Sequence, residues 1–144
     1  MEKYRILVKG VVQYEERYLV VCRWFDDRIS EPYQWGFIDG AIEFGEEPDK
    51  AVLRIIAEQT GLPAAIDRIL YTWSFMTGDT FNIGISYLCR VSFDDVVLSE
   101  DLVDCRWMLK EELEGTIDSR VLEDLEEAEF YKERFRYIAR PDEE

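Results

Sequence analysis

The sequence contains no histidine, which excludes zinc sites, catalytic triads and acid–base steps that depend on an imidazole. Basic residues are also few, since 17 Lys and Arg stand against 32 Asp and Glu and leave a net charge of −15. A surface that follows a nucleic-acid backbone needs a basic face, so we predict no nucleic acid polymer as a partner. No apolar run is long enough to span a bilayer, and the polar first residues lack a signal-peptide layout, so we predict no membrane partner.

Cysteine is scarce as well, with three residues and no C-x-x-C spacing. Cys22, Cys89 and Cys105 each lie in a strand-like run, which favours reduced thiols packed in a core over nucleophiles. Reduced thiols of this kind are typical of a cytoplasmic protein, the location that we predict. With 144 residues, 47% of them apolar, the chain is expected to form a single domain over residues 1–144.

Strand-like segments fill most of the chain. Apolar and β-branched residues predict the following strands: Tyr4–Tyr14, Tyr18–Trp24, Trp35–Ile38, Ala41–Phe44, Arg68–Phe75, Phe81–Ser92 and Val103–Leu109. The polar segment Asp26–Tyr33, which carries Pro32, is predicted to be a loop.

One central helix is marked at both ends. Pro48 suits its first turn, and Gly61 suits the left-handed position that follows its last turn. The apolar residues between them recur at helical spacing. Two further helices are predicted near the C-terminus, Glu111–Leu113 and the longer, amphipathic Val121–Ile138. Strands placed around these helices predict an α/β (α+β) fold with a mixed β-sheet packed between helices.

The central helix and the loop before it carry a specific spacing. Residues 40–62 read GAIEFGEEPDKAVLRIIAEQTGL. This segment resembles the Nudix box, G-x5-E-x7-R-E-U-x-E-E-x-G-U, in which U is a bulky aliphatic residue. Two residues depart from the pattern, because Ile55 and Gln59 stand where the family has glutamate. The positions that agree are Gly40, Glu46, Arg54, Ile56, Glu58, Gly61 and Leu62.

Two more segments extend the resemblance over nearly the whole chain. Trp35–Glu46 is similar to the family's W-x-L-P-G-G-x-x-E-x-G-E segment, with Asp39 in place of the first glycine of the pair. Leu98–Leu113 is similar to its L-S-x-E-x-x-x-x-x-W-x-x-x-E-E-L segment, with Asp101 in place of the first glutamate. The resemblance implies the Nudix fold, a mixed sheet sandwiched between helices.

The resemblance also implies a chemistry. Family members hydrolyse a pyrophosphate bond in a nucleoside diphosphate derivative or a similar small phosphorylated substrate. In them, Mg²⁺ or Mn²⁺ held by helix glutamates neutralises phosphate oxygens and activates water. Carried to this chain, the resemblance gives catalytic roles to Glu58, Glu46 and Arg54, the last two by holding the loop onto the helix.

The metal ligands that the resemblance implies are Glu58, the carbonyl oxygen of Gly40 and, weakly, Gln59, and Glu43 lies beside the box as a candidate for a relocated ligand. Because Ile55 offers no donor and Gln59 no charge, the helix face keeps one carboxylate and is expected to bind Mg²⁺ weakly. The structural alternative makes Glu58 an exposed partner of Arg54 and Ile55 a core residue. Carboxylates that could complete a metal site from elsewhere, or that are simply solvated, are Asp79, Glu100, Asp101 and Asp104.

The predicted substrate contacts are Arg23, Trp24 and Tyr33. Arg23 could grip a phosphate, or be an ordinary surface residue at a strand end. Trp24 and Tyr33 could stack on a nucleobase, although aromatic residues more often fill core or edge positions, the role expected for Trp35 and Trp107.

The departures at Ile55 and Gln59 leave two functions open. The first is a metal-assisted Nudix hydrolase. The second is a catalytically weak or silent Nudix domain that binds a nucleotide-like ligand or a protein partner. Dimers are common in the family, so a homodimer also stays open, and the fold alone does not decide among these.

Overall fold

The computed structural model describes residues 3–23 and 35–128. Seven strands form one mixed sheet, and their bounds are β1 Lys3–Tyr14, β2 Arg17–Arg23, β3 Trp35–Gly36, β4 Ile38–Ala41, β5 Ala64–Thr77, β6 Thr80–Val91 and β7 Leu102–Leu109. The helices are α1 Pro48–Thr60, α2 Lys110–Leu113 and α3, whose described part covers residues 119–128. The predicted contacts Trp24 and Tyr33, the predicted loop Asp26–Tyr33 and the end of the predicted helix Val121–Ile138 lie outside the described residues.

Strand β1 lies at the centre of the sheet. It pairs in parallel with β6 from Lys3 to Gln13, whereas every other described pairing is antiparallel. Its other side pairs with β4 in the middle and with β2 at the end. The sheet is therefore mixed, as the sequence predicted. None of the described helices is long and apolar enough to cross a membrane.

Helix α1 packs its apolar side on one face of the sheet. Pro48 occupies its first turn, and Gly61 ends it with φ of 73°, donating its N–H to the carbonyl of Ala57. Both ends lie where the sequence placed them. Val52 and Ile56 lie over Gly10 of β1, where an added Cβ would come within 2.9 Å of Ile56. The glycine thus lets the helix approach the sheet closely.

The opposite face carries the second half of the core. Val11, Val20 and Leu88 of the sheet pack there against Leu113 and Leu125 of the C-terminal helices. Since consecutive side chains of a strand point to opposite faces, β1 contributes its even-numbered residues to the α1 side and its odd-numbered residues to this side. The sheet is sandwiched between helices, as predicted.

Several predicted boundaries are wrong. A strand was predicted at Ala41–Phe44, but strand β4 ends at Ala41. It runs through Gly40 and pairs with β1 from Ile38 to Ala41. Strand β5 is longer than predicted, β6 is shifted by one residue toward the N-terminus, and the two form a hairpin that turns at Gly78 with φ of 61°. Helix α3 begins at residue 119, before the predicted start at Val121.

Candidate active site

Arg54 joins the loop before α1 to the helix itself. Its Nε lies 2.7 Å from one carboxylate oxygen of Glu46, and its Nη2 lies 3.0 Å from the other. Its Nη1 donates to Glu58 at 2.7 Å, one helical turn further on. Nη2 also donates to the carbonyl oxygen of Ala41 at 3.3 Å, and Glu43 lies 3.3 Å from Nε. One guanidinium therefore ties together the end of β4, the loop and the helix.

The protonation states of this network are fixed by its hydrogen bonds. Donation from Arg54, and from the backbone N–H of Glu43, lowers the pKa of the Glu46 carboxyl. The same bonds to Glu46 and Glu58 raise the pKa of Arg54. Both groups stay ionised at neutral pH, as a charge-assisted pair requires. The loop-holding roles that the sequence gave to Glu46 and Arg54 have this geometry, and their part in a reaction stays a prediction.

Ile55 lies against Gly40. Its side chain is 5% exposed and belongs to the core cluster between α1 and the sheet. A Cβ added at Gly40 would come within 2.8 Å of the Ile55 Cδ1, so the two residues are in tight contact. Where the family has a glutamate, this chain presents an apolar side chain that completes the core.

Gln59 contacts β4 through the nitrogen of its side-chain amide. Its Nε2 donates to the carbonyl oxygen of Asp39 at 3.3 Å. Its Oε1 is buried and has no hydrogen-bond partner among the described residues. The side chain thus links helix and sheet as a neutral group, in the place of a charged one.

Arg23 lies on the face of the sheet opposite α1. Its Nη2 contacts Asp39 Oδ1 at 2.6 Å and donates to the carbonyl oxygen of Phe37 at 3.1 Å. The predicted phosphate contact is therefore held by a carboxylate that the sequence did not single out. The sequence does mark Asp39 as unusual, because it takes the place of a glycine in the segment before the box. The spacing alone could not show that Arg23 is the partner of Asp39.

The remaining candidates have separate locations. Asp79 lies in the β5–β6 turn and is 3.6 Å from Lys3, and Asp104 in β7 accepts from the N–H of Cys105. Glu100 and Asp101 precede β7 in an exposed turn. Trp35 and Trp107 pack against the two core clusters, as predicted.

The cysteines also match their predicted role. Cys22 and Cys89 are buried, Cys105 is partly buried, and all three thiols are free. Burial raises the pKa of Cys89 to about 12 and shifts the pKa of the other two upward. The thiolate is the reactive form, so these groups are inert at neutral pH.

Comparison with known proteins agrees with this architecture. The NUDIX domain profile matches residues 3–136. The chain belongs to the Nudix family. Nucleoside triphosphatase NudI of Enterobacter sp. (strain 638) is 30% identical over 126 residues, which cover 79% of this chain and 87% of that protein. The Nudix hydrolase predicted from the sequence, acting on nucleotide derivatives, is the function class that the family match supports.

Solved Nudix structures share the fold. A MutT protein from Methanosarcina mazei Go1 superposes with a TM-score of 0.77 at 21% identity, covering 91% of this chain and 96% of that one. A NUDIX hydrolase from Nitrosomonas europaea superposes with a TM-score of 0.71 at 19% identity, covering 90% of each chain. The α+β Nudix fold predicted from the sequence is confirmed.

Nudix hydrolases generally use divalent metal ions, but the donor set of this chain does not fit a resident one. The described residues contain no group of three acidic or other metal-binding side chains close enough to share an ion. Glu58, Glu46 and Glu43 all contact Arg54, whose positive charge opposes a cation at the same place. Mg²⁺ takes hard, charged oxygen ligands in near-octahedral geometry, and Ile55 supplies none where the family supplies one.

Proposed function

We propose that this Nudix protein hydrolyses a small nucleotide derivative, with a nucleoside triphosphate as the leading substrate. The name of the similar NudI protein supports that choice. The observation that carries the proposal is the Arg54 network, because it holds the Nudix loop on α1 and leaves the Glu58 side chain 56% exposed at its edge. A half-exposed carboxylate on a fixed helix can meet water and a bound phosphate chain together.

In the proposed reaction, a water oxygen attacks a phosphorus of the pyrophosphate link. Glu58 accepts the proton that the water loses, the phosphorus–oxygen bond to the leaving group breaks, and that oxygen carries away the electron pair. Glu46 and Arg54 do not touch the substrate in this scheme. They hold the loop, and so set the distance between Glu58 and the phosphate.

We further propose that Mg²⁺ or Mn²⁺ enters as the counter-ion of the substrate's phosphates. Magnesium is commonly held by one or two carboxylates together with phosphate oxygens, so the ion would be held chiefly by the phosphates of the substrate. The predicted contacts at Glu43, Gln59 and the carbonyl of Gly40 belong to this part of the proposal. We also propose a single domain over residues 1–144 and a cytoplasmic location. The three free thiols support the location.

Replacing Glu58 with Gln tests the role of this carboxylate. We expect phosphate release from nucleoside triphosphates to fall by ~10²-fold, because removing a general base costs about that much. Glu47→Gln is the matched control, since Glu47 is an exposed glutamate just before the same helix and pairs with Lys50 at the surface. An unchanged rate in Glu58→Gln would remove Glu58 from the reaction.

A second candidate function is a Nudix domain that binds a nucleotide-like ligand with little or no turnover. The contacts of Ile55 with Gly40 and of Gln59 with Asp39 favour it, because they convert the family's metal-binding face into a packing face. The two functions differ in one observable, which is turnover by folded protein.

Gln59→Glu tests how completely that face has lost its affinity for cations. Without a cation we expect the variant to unfold at a lower temperature, because a carboxylate cannot donate to the Asp39 carbonyl and is repelled by the partial negative charge of its oxygen. Millimolar Mn²⁺ should restore the lost stability by binding the folded state, and should leave the wild-type midpoint unchanged. Gln59→Met, which loses the hydrogen bond without adding charge, is the control. A wild-type midpoint that rises as much as that of the variant would contradict the absence of a resident site.

A further inference from the structure

Strand β5 forms one edge of the sheet. The main path of the sheet follows the order β3, β2, β1, β6 and β5, and no described strand pairs with the outer side of β5. An unpaired edge exposes N–H and C=O groups that can pair with another chain, so proteins usually protect such an edge with charged side chains, proline or bulges. Which of these devices β5 carries decides whether its edge is open to a partner.

The two halves of β5 differ in this protection. In the first half the pairing with β6 is irregular between Ile66 and Arg68 and again between Ile69 and Tyr71, and Asp67 and Arg68 add charges. The second half, residues 71–77, pairs with β6 without a break and contains no charged residue and no proline. The unprotected part of the edge is therefore residues 71–77.

The turn between β5 and β6 determines which backbone groups face the open side. Thr77 and Thr80 are partners on either side of a two-residue turn. The residues that flank such a turn exchange both hydrogen bonds, and along an antiparallel strand such residues alternate with residues whose backbone groups face the other way. Counting back from Thr77, the odd-numbered residues of the segment bond to β6. The backbone groups that point outward belong to Thr72, Ser74 and Met76.

Large apolar side chains accompany these outward-facing groups. Phe75 is 46% exposed and Met76 is 61% exposed. Trp73 is held in place, because its ring lies against Gly84 and contacts Lys9, whose Nζ is 4.5 Å from the ring centre. Aromatic side chains that lie opposite one another on neighbouring strands stabilise a sheet. Exposed apolar side chains next to unpaired backbone groups therefore suit the addition of another strand.

We propose that residues 71–77 pair with the same segment of a second copy of the chain, so that the protein forms a symmetric homodimer. Each copy carries a net charge of −15, and the repulsion between two copies is smallest where neither presents a charge, as at this segment. A partner of opposite charge would be expected on the acidic surface instead. A two-fold axis brings two antiparallel copies of one strand together, so the outward-facing groups complement themselves.

The two-fold axis should pass beside Ser74, which is the middle residue of the segment. Ser74 is then opposite Ser74 of the second copy, and Thr72 is opposite Met76, so that all three outward-facing residues exchange both of their hydrogen bonds. Trp73 is opposite Phe75, which gives the exposed ring an aromatic neighbour across the interface. An axis shifted along the strand leaves one of the three outward-facing residues without a partner in the segment.

Sedimentation velocity over a range of protein concentrations tests for the dimer. We expect wild-type protein to approach the mass of two chains as its concentration rises. Ser74→Pro removes an outward N–H from each copy and leaves the bonds to β6 in place, so the Kd of the dimer should rise at least ~10-fold. Ser74→Ala keeps that N–H and is the matched control, which should dimerise like wild type. Wild-type protein that stays monomeric at every concentration would overturn the proposal.

Ser74→Cys tests the register without a change in the backbone. The Cα atoms of a hydrogen-bonded antiparallel pair are ~5.5 Å apart, which a disulfide can span, so mild oxidation should link two copies of this variant. Thr77→Cys is the control at an exposed position of the same strand. It should not be linked, because the two copies of Thr77 lie ~20 Å apart in this register. No link in Ser74→Cys, or as much in Thr77→Cys, would overturn the proposed pairing.

Discussion

Replacing Arg54 with Met is expected to destabilise the protein by about 2 kcal/mol, because several charge-assisted hydrogen bonds are lost at once. Glu46 loses the Arg54 donors to both of its carboxylate oxygens and keeps only the N–H of Glu43, and the Ala41 carbonyl loses one donor. The Glu46 side chain is 19% exposed, so water replaces those donors only in part. Urea unfolding followed by circular dichroism measures the change.

The matched control is Lys50→Met on the same helix. Lys50 pairs with Glu47 at the surface, where both side chains are more than half exposed, and an exposed ion pair contributes little. We expect a change below ~0.5 kcal/mol. Similar losses in the two variants would show that Arg54 does not organise the loop.

The effect of Arg54 should depend on pH. The pKa of Glu46 is lowered in the folded protein, so the stabilisation is fully present above the pKa of an unfolded glutamate. The stabilisation is lost as the pH falls through the lower pKa that Glu46 has in the folded protein. The difference between wild type and Arg54→Met should therefore be constant near neutral pH and shrink in acid.

Restoring both glutamates of the box is expected to have the largest effect on rate. The double variant Ile55→Glu, Gln59→Glu should release phosphate ~10²–10⁴-fold faster than wild type with Mg²⁺ or Mn²⁺, the value of a well-placed catalytic group. Positions 55, 58 and 59 lie at i, i+3 and i+4, so their carboxylates would converge on one side of α1. The initial rate of phosphate release measures the gain.

Ile55→Gln with Gln59 unchanged controls for size and polarity. It places a side chain as long as glutamate against Gly40 but adds no charge, so its rate should stay at the wild-type level. Because Ile55 is a core residue, both variants should unfold more easily, and rates are to be compared at a temperature where all are folded. A double variant that is folded and no faster would show that these positions do not limit the reaction.

The sequence predicted the features that local rules govern. Pro48 and Gly61 mark the ends of α1 because one fits a first helical turn and the other a left-handed backbone. The spacing of Glu46, Arg54 and Glu58 predicted the network, since residues four apart on a helix are neighbours and the loop position follows the family pattern.

The features that sequence analysis missed depend on strand register. Strand β4 continues through Gly40 because β1 pairs with it there, and no local signal marks that pairing. Asp39 and Lys9 share a face for the same reason, and the register that places Ser86 beside them joins residues far apart in the chain. Lys9 is visible in the sequence as a charged residue within an apolar strand, but only the strand register shows which residues lie beside it.

The most direct test of the account is the initial rate of phosphate and pyrophosphate release from the four common nucleoside triphosphates by folded wild-type protein, with Mg²⁺ and without it. The account predicts slow turnover that needs both the cation and Glu58. No turnover on any of the four substrates, from protein whose restored-box variant does turn over, would contradict the proposed hydrolase and assign this Nudix domain to binding.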